Sequence, residues 1–275
     1  MIAFADTAPA QSPLLCSNRD RLSYREIQTY MACPLRYYFR YVEQAREPTT
    51  SASLAFGHAF HSALRFHFET IVTGTAQPDV YDLVEEFWAA WHTRADAVAI
   101  IDGKGDIESE TDEVATRVLD AFLQSPASKP PGRIIGLAEE LSGSITADLP
   151  EILAHVDLIT ETNASFILTD FKSSRCRWDT EQAEDAADKL RLFHEFARRQ
   201  FCDKPIQLQV VVVSKTKHPC VQLIPLDDSP QRTRQLTRTI QQVWKAIKSH
   251  IYYPVRSRIH CSTCPFREPC DEWGN

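Results

Sequence analysis

Two apolar runs, each closing on an aspartate, constrain this chain more than any other feature. "ILAHVD" ends at Asp157, and "SFILTDFKSS" carries Asp170 and Lys172 behind Phe166, Ile167 and Leu168. Side chains alternate along a strand, so Asp170 and Lys172 share one face while Phe171 turns to the other. The intervening "ETNA" suits a hairpin, which brings the two acidic ends near one place on the sheet. Two clustered carboxylates repel unless a cation lies between them, so the pair reads as an oxygen site for Mg2+ or Mn2+. Lys172 beside it is placed to orient a nucleophilic water or to steady charge developing on a phosphate. Taken alone, D-x-K is more simply an ion pair at an exposed strand end.

The surrounding texture predicts the layers of the fold. Ser23 and Glu26 have capping-box spacing, which predicts a helix from Tyr24 carrying Ile27, Tyr30 and Met31 to the core. Pro34 interrupts it and opens a second helix, "PLRYYFRYVEQA". "PTTSAS" reads as a linker, and "LAFGHAFHSALRFHFETIV" and "VYDLVEEFWAAWHTRA" have helical periodicity. "IDGKGDIESETDE", with six acids against one lysine, reads as a solvated loop before a helix over 114–123. After the proline-rich "SPASKPPG" the chain turns β-like: "RIIGLAEELSGSI", the two acidic runs, "IQLQVVVVSK" and "CVQLIPL", with a helix over 180–201 between the third and fourth. "QRTRQLTRTIQQVWKAIKSHI" predicts a long terminal helix. Strands, a crossover helix and further strands give the α/β class: a mixed sheet core flanked by helices, under a helical N-terminal layer. The expected division is a flexible extension over 1–20 and one domain over 21–275, with the helical layer at about 21–125, the sheet at about 133–226 and the terminal helix and cysteines at 229–275.

No apolar run approaches the roughly 18 residues a membrane span needs, and the first residues lack a signal peptide's basic start and apolar core. A cytoplasmic protein without a membrane partner is expected, its eight cysteines thiols or metal ligands rather than disulfides. The net charge of −7 argues against a protein that coats nucleic acid nonspecifically. Charge is segregated, however: 229–260 holds no acid but contains Arg232, Arg234, Arg238, Lys245, Lys248, Arg256 and Arg258.

"CSTCPFREPC" places Cys261, Cys264 and Cys270 within ten residues, a spacing that signals metal ligation. A tetrahedral site wants a fourth ligand, for which Cys33, between two N-terminal helices, is the best candidate. Zinc and a four-iron four-sulfur cluster both accept four thiolates, and the C-x2-C pair by itself favours zinc. Cys16, Cys176, Cys202 and Cys220 have no partner spacing and read as ordinary thiols. "FGHAFHSAL" puts Gly57 and His61 in a G-x-x-x-H arrangement, the glycine allowing close approach and the imidazole free to contact metal or phosphate. His58, His67, His155 and His194 read as structural.

Taken in order, "LSYREIQTYMACPLRYYFRYV", "SLAFGHAFHSAL", "AHVDLI", "LTDFKSS" and "CSTCPFREPC" resemble the PD-(D/E)XK (restriction-endonuclease-like) nucleases, and within them the RecB-like branch that includes AddB-type and CRISPR-associated exonucleases. The resemblance implies a metal-dependent DNA nuclease, an exonuclease acting on single-stranded ends. Asp157 and Asp170 would hold Mg2+ or Mn2+ with one of Glu139 or Glu140, His61 assisting and the Phe171 carbonyl adding an oxygen, and Lys172 would position the attacking water. It also implies that Cys33, Cys261, Cys264 and Cys270 hold a four-iron four-sulfur cluster, a staple between the first and last thirds of the chain. Single-stranded DNA and a helicase, a repair protein or a CRISPR protein are the implied partners, in repair, CRISPR adaptation or phage DNA metabolism.

The chain departs from that family in two places. Where relatives carry a metal-binding glutamate before the first aspartate, gapless alignment of "IIGLAEELSG" puts Ala138. Glu139 or Glu140 substitutes only by a shift, and a shift of one turns the side chain to the other face. The helix after D-x-K usually carries Q-L-x-x-Y, and here Lys189 and Phe193 stand in its place. The rival reading is therefore a weakened or inactive nuclease-derived module that binds DNA or docks on a partner.

Overall fold

A computed structural model describes residues 20–101, 107–198, 201, 203–257 and 261–273. Cys16, Cys202, Arg258 and nearly all of the expected extension lie outside the described residues. The chain opens with β1 (Arg21–Ser23) and α1 (Tyr24–Ala32). The expected capping box starts α1: Ser23 Oγ accepts the Glu26 N–H at 3.2 Å and the Glu26 carboxylate accepts the Ser23 N–H at 2.8 Å. Pro34 opens α2 (Pro34–Tyr37), which widens into a π-helical turn (Tyr38–Val42), so the helix expected over 34–45 is shorter and irregular.

The stretch read as a linker instead holds β2 (Thr49–Ser51) and the cap of α3 (Ala52–Thr73). After α4 (Val80–Ala97), β3 (Ala99–Ile101) pairs in parallel with β2. Strands this short show no alternation, and the sequence hid both. α5 (Ile107–Leu123) begins inside the run expected to be a solvated loop. Glu108 and Glu110 lie in its first turn, where the helix dipole favours carboxylates, and Asp112 accepts the Trp88 indole N–H at 2.7 Å.

The main sheet comprises β1, β4 (Arg133–Gly143), β5 (Glu151–Glu161), β6 (Phe166–Ser174), β7 (Ile206–Ser214) and β8 (Val221–Leu226). Its order is β1-β5-β6-β7-β8, with β4 on the other edge of β5. β5 runs antiparallel to β4 and β6 and parallel to β1, and the parallel step between β6 and β7 is spanned by α6 (Thr180–Ala186) and α7 (Asp188–Ala197). One helix was expected there. Arg191 splits it, donating to the Glu184 backbone carbonyl at 2.8 Å and pairing with the Glu184 carboxylate, so that α6 ends at Ala186. α8 (Pro230–Lys248) and α9 (Arg267–Glu272) complete the chain.

Helices cover both faces of this mixed sheet. Ile27 of α1, Leu190 and Phe193 of α7, and Ile240 of α8 pack on Ile159, Leu168 and Val210. On the other face Phe60 and Leu64 of α3, Phe87 of α4 and Phe122 of α5 pack on Leu158, Phe171 and Val211. Burying each such side chain contributes about 1.5–3 kcal/mol, which fixes α3 and α7 on opposite sides of the β5–β6 hairpin. Among the described residues no helix is long and apolar enough to cross a membrane.

Candidate active site

The β5–β6 ladder pairs Glu161 with Phe166 and runs to Leu158 opposite Thr169, where it stops. The next pair in the same register is Asp157 and Asp170. Like charges directly opposite one another destabilise a ladder, and here the strands part at the two carboxylates. Beyond that point β6, among the described residues, pairs with β7 alone, while the other end of β5 takes β1 as its neighbour on that edge. The Phe171 N–H bridges the opening, donating to Asp157 Oδ2 at 2.7 Å.

A second irregularity aims Asp157. On β4, Leu137 stands opposite Leu158 and Glu139 opposite Val156, which places Ala138 across from Asp157. Ala138 has φ of 51°, in the left-handed region. For an L-residue with a Cβ this conformation costs about 1–2 kcal/mol, and it rotates the chain. Leu137 packs with α3–α5 whereas Leu141 packs with the opposite core, although strict alternation would put both on one face. β5 changes phase at the same level: Ala154 and Val156 face the α7 side, and Leu158 faces the α3 side. Asp157 sits at the change of phase and reaches groups from both layers.

From α3, His61 Nδ1 lies 3.6 Å from Asp157 Oδ2; from α7, Lys189 Nζ lies 3.7 Å from Asp157 Oδ1. Lys189 is also ion-paired with Asp170 Oδ1, and Lys172 Nζ lies 2.6 Å from Asp170 Oδ2. The Asp170 side chain is only 1% exposed. Burial opposes its ionisation, but Lys172 and Lys189 outweigh burial and hold its carboxyl below the usual range. For Asp157, burial and then the nearby Asp170 charge push the carboxyl up, against the pull of His61 and the lysines. Burial works against the Lys189 ammonium, and Asp170 and Asp157 outweigh it and raise its pKa.

Asp157, His61, Lys172 and Lys189 line a cleft of about 900 Å3 together with Arg25, His58 and Arg65, whereas the buried Asp170 does not line it. Arg25 also lines an adjoining basin of about 440 Å3, with Arg36, Arg40 and Arg94. Apart from Lys172 on β6 and Lys189 on α7, the cations of both come from the N-terminal helical layer. Arg232, Arg234, Arg238, Lys245, Lys248 and Arg256, of the acid-free terminal segment, do not line the cleft. Arg25 and Arg65 had no sequence motif to announce them.

The profile of the PD-(D/E)XK nuclease superfamily matches residues 21–271. The chain belongs to this superfamily. A solved protein described as a candidate exonuclease, from Eubacterium rectale, superposes on this PD-(D/E)XK chain with a TM-score of 0.58 at 10% identity, over 99% of this chain and 95% of that one, and so shares its fold. A second solved protein, SSO0001, gives a TM-score of 0.33 at 14% identity, over 84% of this chain and 92% of that one. No curated protein sequence matches significantly.

PD-(D/E)XK nucleases typically use Mg2+ or Mn2+. The donors fit such an ion in kind, since Asp157 and Asp170 offer hard carboxylate oxygens at one break in the ladder, although of the two only Asp157 lines the cleft. They are not gathered as a ligand set: among the described residues no group of three or more His, Cys, Asp or Glu is placed to hold a metal. Neither Glu139 nor Glu140 lines the cleft; Ala138 does. A Cβ on Gly136 would fall 2.6 Å from Glu139 Cγ, so Glu139 lies back over Gly136, and the Glu140 carboxylate pairs with His155 Nε2 at 2.8 Å. A Cβ on Gly57 would meet nothing within 4 Å, so this glycine does not serve close packing within the chain. His58 and His155, read as structural, line the cleft, whereas His67 is buried with Nε2 2.9 Å from the Ser128 carbonyl oxygen, and His194 Nδ1 lies 3.6 Å from Asp228.

Cys33, Cys261, Cys264 and Cys270 line one cavity, walled by Leu35, Phe39 and Phe266, but among the described residues they too are not placed as a group that holds a metal. The Val255 N–H donates to Cys33 Sγ at 3.5 Å and the Ser257 N–H to Cys261 Sγ at 3.4 Å. Burial and the neighbouring Cys33 and Cys264 push the Cys270 thiol up. Cys176 is exposed, and Cys220 Sγ takes the Arg177 guanidinium at 2.8 Å.

Proposed function

We propose that the protein is a DNA exonuclease that hydrolyses phosphodiester bonds at single-stranded ends with Mg2+ or Mn2+. One observation carries the reading: Asp157, Asp170 and Lys172 converge where the β5–β6 ladder opens, with Asp157 and Lys172 lining a cation-rich cleft and Asp170 buried behind Lys172. Asp157 and Asp170 would hold the metal, with His61 beside Asp157 and the Phe171 carbonyl as a further oxygen. The bound ion supplies Lewis acidity toward a phosphoryl oxygen. Lys172, anchored on Asp170, presents its ammonium to the cleft, where it orients the attacking water and balances charge on the phosphate. Arg25 and Arg65 hold the DNA backbone by charge, and the helical cover of α3 favours a single strand over a duplex.

The same reading assigns Cys33, Cys261, Cys264 and Cys270 a four-iron four-sulfur cluster, as in the RecB-like branch. Four soft donors around one apolar cavity support it, and the cluster would serve as a staple. A second reading, a nuclease-derived DNA-binding module, draws on Ala138 and Lys189, which replace a carboxylate and an amide of the family pattern. Labelled single- and double-stranded DNA incubated with Mg2+ or Mn2+ tests both. Wild type is expected to shorten the single strand, and Lys172→Ala to lose about 10²–10³-fold in rate with binding retained. Binding without cleavage under either metal would establish the module instead.

A further inference from the structure

The metal pair of this superfamily site already has a cation between its members. Lys189 projects from α7, a helix fixed by the fully buried Leu190 and Phe193, and its ammonium is ion-paired with both Asp157 and Asp170. Lys172 takes the remaining oxygen of Asp170. Two carboxylates therefore meet two ammoniums, and the cluster is neutral within the chain. Ala138, across the ladder from Asp157, adds no third carboxylate. A divalent ion is drawn to clustered carboxylates by their uncompensated charge, and here that charge is compensated.

We propose that Lys189 is a tethered counter-cation that a divalent ion must displace to bind between Asp157 and Asp170, so that metal occupancy is set by competition with the protein's own side chain. Lys189 lines the cleft and its side chain is 21% exposed, so its four-carbon stem has open space into which the ammonium can swing. This inference rests on reading Asp157 and Asp170 as the metal pair and goes on to say what controls their loading. It also gives the lysine a role in the metal-free protein, where removing it leaves two facing carboxylates with a single cation.

The experiment is a Mn2+ titration, following free Mn2+ by electron paramagnetic resonance, together with thermal melting in chelator and in saturating Mn2+. Wild type, Lys189→Gln and the charge-keeping Lys189→Arg are compared. Lys189→Gln is expected to bind Mn2+ about tenfold or more tightly than wild type, to melt lower than wild type in chelator, and to gain more from Mn2+. Lys189→Arg is expected to bind as weakly as wild type. If Lys189→Gln fails to fold in chelator, Lys189→Gln combined with Asp170→Asn, which removes one charge of each sign, is expected to restore melting. Equal Mn2+ affinity in wild type and Lys189→Gln overturns the proposal, as does a double variant that melts no higher than Lys189→Gln. Cleavage is scored separately: tight Mn2+ binding by Lys189→Gln without DNA hydrolysis defeats the nuclease reading and leaves the counter-cation standing.

Discussion

At the carboxylate cleft every ionised group on the floor has a partner supplied by the chain: Lys172 and Lys189 on Asp170, His61 and Lys189 on Asp157. At the cysteine cavity four thiols line apolar walls, and among the described residues no ion pair ties them to one another. The half-buried Arg36 lines that cavity, and its buried Nε has no hydrogen-bond partner among the described residues. The cleft stands on strands, whose register sets its geometry. The cavity is framed by the α1–α2 junction and by coil and short helices near the chain's end, where secondary structure fixes little. A site with internal counter-charges can fold before any ion arrives, whereas a set of thiols joining distant segments gains its stability from whatever they bind.

The largest effect that could break this contrast is at the cysteines. Cys33→Ser and Cys270→Ser are expected to lower stability by similar large amounts, on the scale of the roughly 10 kcal/mol available to a structural metal site, whereas Cys176→Ser, at an exposed thiol, is expected to change melting little. Anaerobic wild type should be brown, with about four irons per chain. Stoichiometric zinc would replace the cluster and keep the staple, and an unaltered Cys33→Ser protein would remove both. Next in size, Asp170→Ala strands two ammoniums and should cost about 3–5 kcal/mol in a denaturant titration without metal. A neutral result there would mean that the cleft is not held together by its own charges. Smallest, Ala138→Gly should relieve the left-handed backbone and stabilise by about 1 kcal/mol; destabilisation would show that the methyl group, rather than the phase change, is what that position requires.

The hairpin was legible because its signal is local. Alternation in "SFILTDFKSS" puts Asp170 and Lys172 on one side, and their ion pair at 2.6 Å follows from spacing alone. β1, β2 and β3 were not legible, since three residues display no period, and the start of α5 was hidden because a run of acids suits a helix N-terminus as well as a loop. The alignment that placed Ala138 where relatives carry glutamate used a gapless register. In the fold Ala138 does stand across from Asp157, but its positive φ changes the phase of the strand, which no periodicity argument contains.

What the sequence determined by itself is the class of layers, the D-x-K face and the spacing of three cysteines, because each depends on neighbours within a turn or a strand. Tertiary structure alone decided that Lys189, a departure in a helical motif, lies between two carboxylates on different strands, and that the cleft's other cations beside Lys172 come from α1 and α3 rather than from the basic terminal segment. Side-chain period is a property of the local backbone, whereas a charge pair depends on distance through space. That distance was set only when the cores on both sides of the sheet fixed where α3 and α7 lie over the open ladder.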